Sequence, residues 1–92
     1  MASLKLMNVT EEIVSGLVRF LLHGVEYQTF CHSEECEMRI TAYALNHLPP
    51  KYVTTEEERS RAFKELSSPE SIAEINKQII IAIHEVGRKS NN

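Results

Sequence analysis

The sequence predicts an all-α fold: four helices, with room for a fifth, in a single domain that pairs with a second copy of itself. Three observations carry that expectation. Apolar residues recur at steps of three and four through most of the 92 residues. Capping and breaking residues stand where such runs begin and end. No stretch alternates polar and apolar residues long enough to read as a strand.

The first helix is expected over 8–23. Asn8 can cap it, with Glu11 three residues on in a capping-box arrangement. Ile13, Leu17, Phe20, Leu21 and Gly24 recur at helical spacing, as do Val14, Val18, Leu21 and Val25. Gly24 is placed to stop the helix. The linker from Val25 to His32 has no clear period, and its aromatics Tyr27 and Phe30 are expected to fold back on the core.

The second helix is expected over 34–48, capped by Ser33, with Glu34 and Glu35 facing the positive end of the dipole. Cys36, Ile40, Tyr43, Ala44, His47 and Leu48 follow on one side. Pro49 disfavours helical geometry at Leu48 and Pro50 prolongs the stop, so a rigid elbow is dictated locally. Thr54-x-x-Glu57 and Thr55-x-x-Glu58 are both capping-box matches and open a third helix over 55–66. Ser68-Pro69-Glu70 opens the fourth, over 69–86, with Gly87 beyond it and Arg88 and Lys89 near its negative end. Ser90 to Asn92 are expected to fray.

The last helix carries a further signal. Ile72, Ile75, Ile79, Ala82 and Val86 form a narrow seam, Ile80 and Ile83 widen it, and Ile81 falls on another side. That is more apolar circumference than one internal contact uses. A homodimer with this helix near the interface is the expectation; complete cover by the first two helices is the alternative.

Composition narrows the function. Ten Lys and Arg against 13 Asp and Glu leave a formal charge of −3, the wrong sign for a domain that grips nucleic acid through its phosphates. No apolar run reaches the roughly 20 residues of a membrane span. The first eight residues lack the apolar core of a signal peptide, so a cytoplasmic location is expected, with Cys31 and Cys36 as reduced thiols. Neither a nucleophile elbow nor a glycine-rich phosphate loop is present, and the glutamate runs read as solvated first turns. No catalytic residues are expected. Cys31-His32-x-x-x-Cys36 supplies too few ligands for a structural Zn²⁺ site, and Cys36 sits on the apolar side of its helix, so the two cysteines are weak metal candidates only.

The elbow is more informative. Lys51 and Tyr52 stand on a segment stiffened by Pro49 and Pro50, so positioning them carries little further entropic cost. The hydroxyls of Thr54 and Thr55 and the free amides of a helix N-terminus follow, then Arg59, Arg61 and Lys64. Amides and cations suit a phosphate, and a tyrosine face suits an attached base. The bland alternative is that Tyr52 and Val53 pack as core while the cations pair with Glu56 to Glu58 along the helix.

At these residues a family resemblance enters. Thr41 to Val53, "TAYALNHLPPKYV", resembles the hallmark of the ComFB-like family (late competence development protein ComFB), in which a helix ending Ala-Leu-Asn runs into Leu-Pro-Pro-Arg/Lys-Tyr-Val. The segment Cys31 to Glu37 falls where family members often carry cysteines. The resemblance implies a bacterial, all-helical homodimer without enzymatic activity, acting as a receptor for a cyclic dinucleotide second messenger. Some members hold zinc through a cysteine cluster; with two cysteines, this chain is not expected to. The family match itself extends to Leu48, Pro49, Pro50, Lys51, Tyr52 and Val53.

The expected ligand set is therefore Leu48, Pro50, Lys51, Tyr52, Thr54, Thr55, Arg59, Arg61 and Lys64. The pairing of arginine with the O6/N7 edge of guanine favours cyclic di-GMP, with cyclic di-AMP the other candidate. A two-fold ligand suits a two-fold dimer. Binding would change the surface offered to a partner such as a transcription regulator. A protein-interaction adaptor dimer without a small ligand is the alternative, and a DNA-binding dimer ranks last because the most basic helix starts with three glutamates.

Overall fold

The computed structural model describes residues 4–87. Arg88 and Lys89, expected at the end of the last helix, and the fraying Ser90 to Asn92 lie outside the described residues. Four helices are present: α1 Val9–Leu22, α2 Glu34–Leu45, α3 Glu56–Leu66 and α4 Pro69–Ala82, the last continuing into a π-helical turn at Ile83–Gly87. α1 packs on α2, α2 on α4, and α3 closes against α1 and α4. The core lies between them, built from Val9, Val14, Val18 and Leu22 of α1, Ile40 and Ala44 of α2, Ala62 of α3, and Ile75, Ile79, Ala82 and Ile83 at the C-terminal end.

Short-range caps form where expected. Ser33 accepts from the Cys36 N–H at 3.2 Å, Thr55 from the Glu58 N–H at 3.2 Å and Ser68 from the Ser71 N–H at 3.2 Å, each satisfying one orphan donor of a first turn. Asn8 departs from this pattern. Its backbone occupies the cap position, but its side chain makes no cap bond. The Oδ1 atom instead accepts the Lys51 N–H at 3.0 Å, 43 residues away in sequence.

The buried stripe of α1 runs through Val9, Ile13, Val14, Val18 and Leu22, while Phe20 is exposed, as is Val25 beyond the helix. Two overlapping apolar stripes are present in the sequence, and packing against α2 selects the one centred on Val14 and Val18. Gly24 ends the helix without a left-handed turn, at φ −81° and ψ 167°. Its amide bonds the Leu21 carbonyl at 3.1 Å, and a Cβ there would meet that oxygen at 3.2 Å. Tyr27 and Phe30 do fold back on the core.

α2 stops at Leu45, three residues short of the expected end. The amides of His47 and Leu48 reach back only three residues, to Ala44 and Leu45, so the approach to Pro49 is a tightened turn. A short element also appears that the sequence did not suggest. β1 Met7–Asn8 pairs antiparallel with β2 Tyr52–Val53, Met7 opposite Val53 and Asn8 opposite Tyr52. Two residues are too few to show a period, and only their pairing defines them.

The cysteines overturn the expectation of reduced thiols. Cys31 and Cys36 form a disulfide, with Cα atoms 6.1 Å apart. The turn through Ser33 folds the chain back so that Cys31 meets the first turn of α2, a proximity that spacing alone does not reveal. Cys36 is 4% exposed and part of the interior, as expected of a small apolar group. On α4, Ile75, Ile79 and Ala82 are buried, as is Ile83 just beyond it, whereas Ile80 and Ile81 face outward. No described helix is long and apolar enough to cross a membrane.

Candidate functional site

The Pro-Pro bend is held against the start of α1 by four bonds. The Thr10 hydroxyl donates to the Pro49 carbonyl at 3.0 Å, and the Val9 N–H to the Lys51 carbonyl at 2.8 Å. The Lys51 N–H donates to Asn8, and the Lys5 N–H to the Thr54 carbonyl at 3.2 Å. β1 against β2 then fixes which way the side chains point, because neighbours along a strand alternate. Val53 turns inward, 8% exposed, and Tyr52 turns outward, 61% exposed. The bland alternative is thus right for Val53 and wrong for Tyr52.

Beside Tyr52 lies an open cleft of about 220 Å³, lined by Lys51, Tyr52, Val53, Glu58, Arg61, Ala62 and Glu65. Lys51, Tyr52 and Arg61 of the expected ligand set come together here. Their charges are partly answered: Lys51 Nζ is 3.9 Å from Glu65, and Arg61 is 4.0 Å from Glu57 one turn back on α3. Lys64 is exposed on the same helix but does not line the cleft. Leu48 lies elsewhere, lining a small pocket of about 110 Å³ with Thr10, Pro49, Leu66, Ser71, Glu74 and Ile75. Pro50 is exposed and lines neither space.

The N-terminus of α3, expected to offer free donors, binds a carboxylate of its own. Glu58 Oε1 accepts the Thr54 N–H at 2.9 Å and the Thr54 hydroxyl at 3.1 Å. Those bonds, led by the Thr54 amide, hold the Glu58 carboxyl below the ordinary carboxylate range. Thr55 spends its hydroxyl on the cap. Arg59 faces away from the cleft. Its guanidinium grips Glu12 of α1, with Nε at 2.9 and 3.0 Å from the two carboxylate oxygens, and reaches Glu56 at 3.4 Å. It also lies 5.7 Å from the centre of the Phe63 ring. The hydrogen bond from Arg59 lowers the Glu12 pKa.

Asn8, Glu12, Glu58 and Glu65 are the site residues that sequence reading missed. Glu58 carried a local signal in its capping-box spacing, and the capping-box spacing of Asn8 pointed to a helix cap rather than to the bend. Asn8 and Glu12 act across 43 and 47 residues, where no periodicity reaches. As for metals, a disulfide offers Zn²⁺ no thiolate, and among the described residues no group of three or more His, Cys, Asp or Glu is arranged to hold an ion.

The arrangement can stack a flat ring on Tyr52 and offer two cations beside it. Among known families, the model of late competence development protein ComFB matches residues 7–90 of this chain. Neither a curated protein nor a solved structure matches it.

Proposed function

We propose that this chain, a member of the ComFB family, is a non-enzymatic bacterial receptor for a cyclic dinucleotide, cyclic di-GMP in preference to cyclic di-AMP. In this reading it works in the cytoplasm, and ligand binding alters the surface offered to a partner such as a transcription regulator. The observation that carries the reading is Tyr52. An aromatic ring left in water on a backbone pinned by four hydrogen bonds is preorganised for stacking, and the cations of Lys51 and Arg61 line the same cleft.

Size and charge argue that one chain supplies half of the site. The cleft of about 220 Å³ is below the roughly 300–1,000 Å³ of pockets that enclose drug-sized ligands. Glu58 and Glu65 also offset its two cations. A ligand with two phosphates and two bases therefore needs two such clefts, and a symmetric dimer provides them. In each half Tyr52 stacks on a base, Lys51 meets a phosphate, and Arg61 turns from Glu57 to the O6/N7 edge of guanine. Arg59 serves the fold rather than the ligand.

Calorimetry with cyclic di-GMP and cyclic di-AMP, on wild type and on Arg61→Ala, tests this reading. Saturable binding of cyclic di-GMP, weakened by Arg61→Ala, is expected. Absence of binding by either ligand up to roughly 100 μM, a binding free energy of only about −5.5 kcal/mol, would remove it. The second reading, an adaptor dimer without a small ligand, is favoured by the exposed Phe20, Met38, Ile80 and Ile81.

A further inference from the structure

The segment between α1 and α2 is long and poorly buried. From His23 to Glu35 no residue is fully buried. The segment contains a 3₁₀ turn at Val25–Tyr27, steadied by the His32 ring nitrogen against the Tyr27 carbonyl at 2.8 Å. Two of its ties to the body of the protein bear on its order. One is the disulfide at its end. The other is a cluster of rings, with Phe30 5.4 Å from His84 and 5.2 Å from Tyr27, so that the loop packs on the π-helical turn after α4.

The two sulfurs differ in access. Cys36 is buried in the first turn of α2, whereas Cys31 is half-buried in the loop, with its sulfur 3.4 Å from the Ser33 hydroxyl. The core beneath does not depend on the bond, since a reduced Cys36 fills the same space as a small apolar thiol. The Ser33 cap on the Cys36 N–H involves neither sulfur.

We infer that Cys31–Cys36 is a reversible thiol–disulfide exchange site, opened by a dithiol reductant, whose state sets the order of the 25–33 loop and of the Ile83–Gly87 turn beneath it. A thiolate of the reductant attacks the Cys31 sulfur, the sulfur–sulfur bond breaks, and Cys36 leaves as a thiolate and takes a proton. The second thiol of the reductant then attacks its own mixed-disulfide sulfur and releases Cys31 as a thiol. The protein gains two electrons and two protons, and the reductant leaves as a disulfide. With the covalent tie gone, the ring contacts and the His32 bond hold the loop less tightly, and it opens locally while the helices stay packed.

Hydrogen exchange by mass spectrometry on the full chain, oxidised and in dithiothreitol, tests the inference, with alkylation to count free thiols. Reduction is expected to speed exchange across 25–33 by at least about tenfold and to loosen 83–87, with helical circular dichroism unchanged. Removal of the reductant followed by oxidised glutathione restores both. Cys31→Ser is expected to sit in the fast state whatever the reductant. Unchanged exchange in wild type after complete reduction overturns the proposal, as does global unfolding on reduction, which would make the bond a structural staple. Failure of the thiols to re-pair overturns its reversibility. The wild-type measurement decides the matter even where Cys31→Ser does not fold.

Discussion

Tyr52 stands in water while its neighbour Val53 fills the core, and this contrast separates binding from stability at one position. Tyr52→Ala removes little buried surface, so its melting temperature should match wild type within about a degree or two. In the proposed receptor the same change removes a stacking platform worth about 1–3 kcal/mol per base, a loss of roughly five- to 150-fold in affinity by calorimetry. A variant that melts far below wild type would show the ring to be structural. Glu12 is the opposite case, a residue that serves the fold. Its carboxyl pKa is lowered by Arg59, so the folded state binds its proton less readily than the unfolded chain does. The resulting stability is present above the ordinary value of 4.5 and is lost as pH falls through the lowered folded value. Glu12→Gln should therefore melt slightly lower than wild type near neutrality, with the gap closing in acid. Melting curves from pH 7 down to about pH 3 check the sign.

Among the elements, the bend and the short β1–β2 pair form one unit with the first turn of α1. Asn8 is its hinge pin: its backbone precedes the helix while its side chain holds the Lys51 amide. Asn8→Ala leaves that half-buried N–H without its partner and should cost about 1–2 kcal/mol in denaturant unfolding. The effect should be local as well as global, with faster amide exchange at Lys51 and Tyr52. Loss of stability without faster exchange at the bend would mean that the cost arises at the helix start instead. The caps at Ser33, Thr55 and Ser68 were legible because each bond spans three residues. The Asn8 capping box was plausible on the same spacing, and it failed because a tertiary acceptor was needed more than a local one.

For the whole molecule, the four helices bury one face of α4 and leave Ile80 and Ile81 on the outside, with Phe20 and Met38 exposed on α1 and α2. The proposed dimer would cover part of this surface. Sedimentation at micromolar concentration should give a dimer, and Ile80→Glu with Ile81→Glu should give a monomer with unchanged helical circular dichroism. A wild-type monomer at that concentration would sink both the dimer and the shared ligand site that depends on it. The helix count and order were readable because each helix is bounded by its own punctuation. The choice of buried face on α1 was not, since two stripes fit a 3.6-residue period and only the facing helix decides between them.

Sequence alone determined the order of the four helices, the caps at Ser33, Thr55 and Ser68, the stiff bend between α2 and α3, and which family the bend resembles. All of these are short-range properties, set by backbone dihedrals and by bonds within one turn. Tertiary structure alone decided that Tyr52 faces water, that Arg59 is committed to Glu12, and that Asn8 holds the Lys51 amide. Each depends on which distant groups packing brings within about 3 Å, the reach of a hydrogen bond. No local pattern encodes that distance.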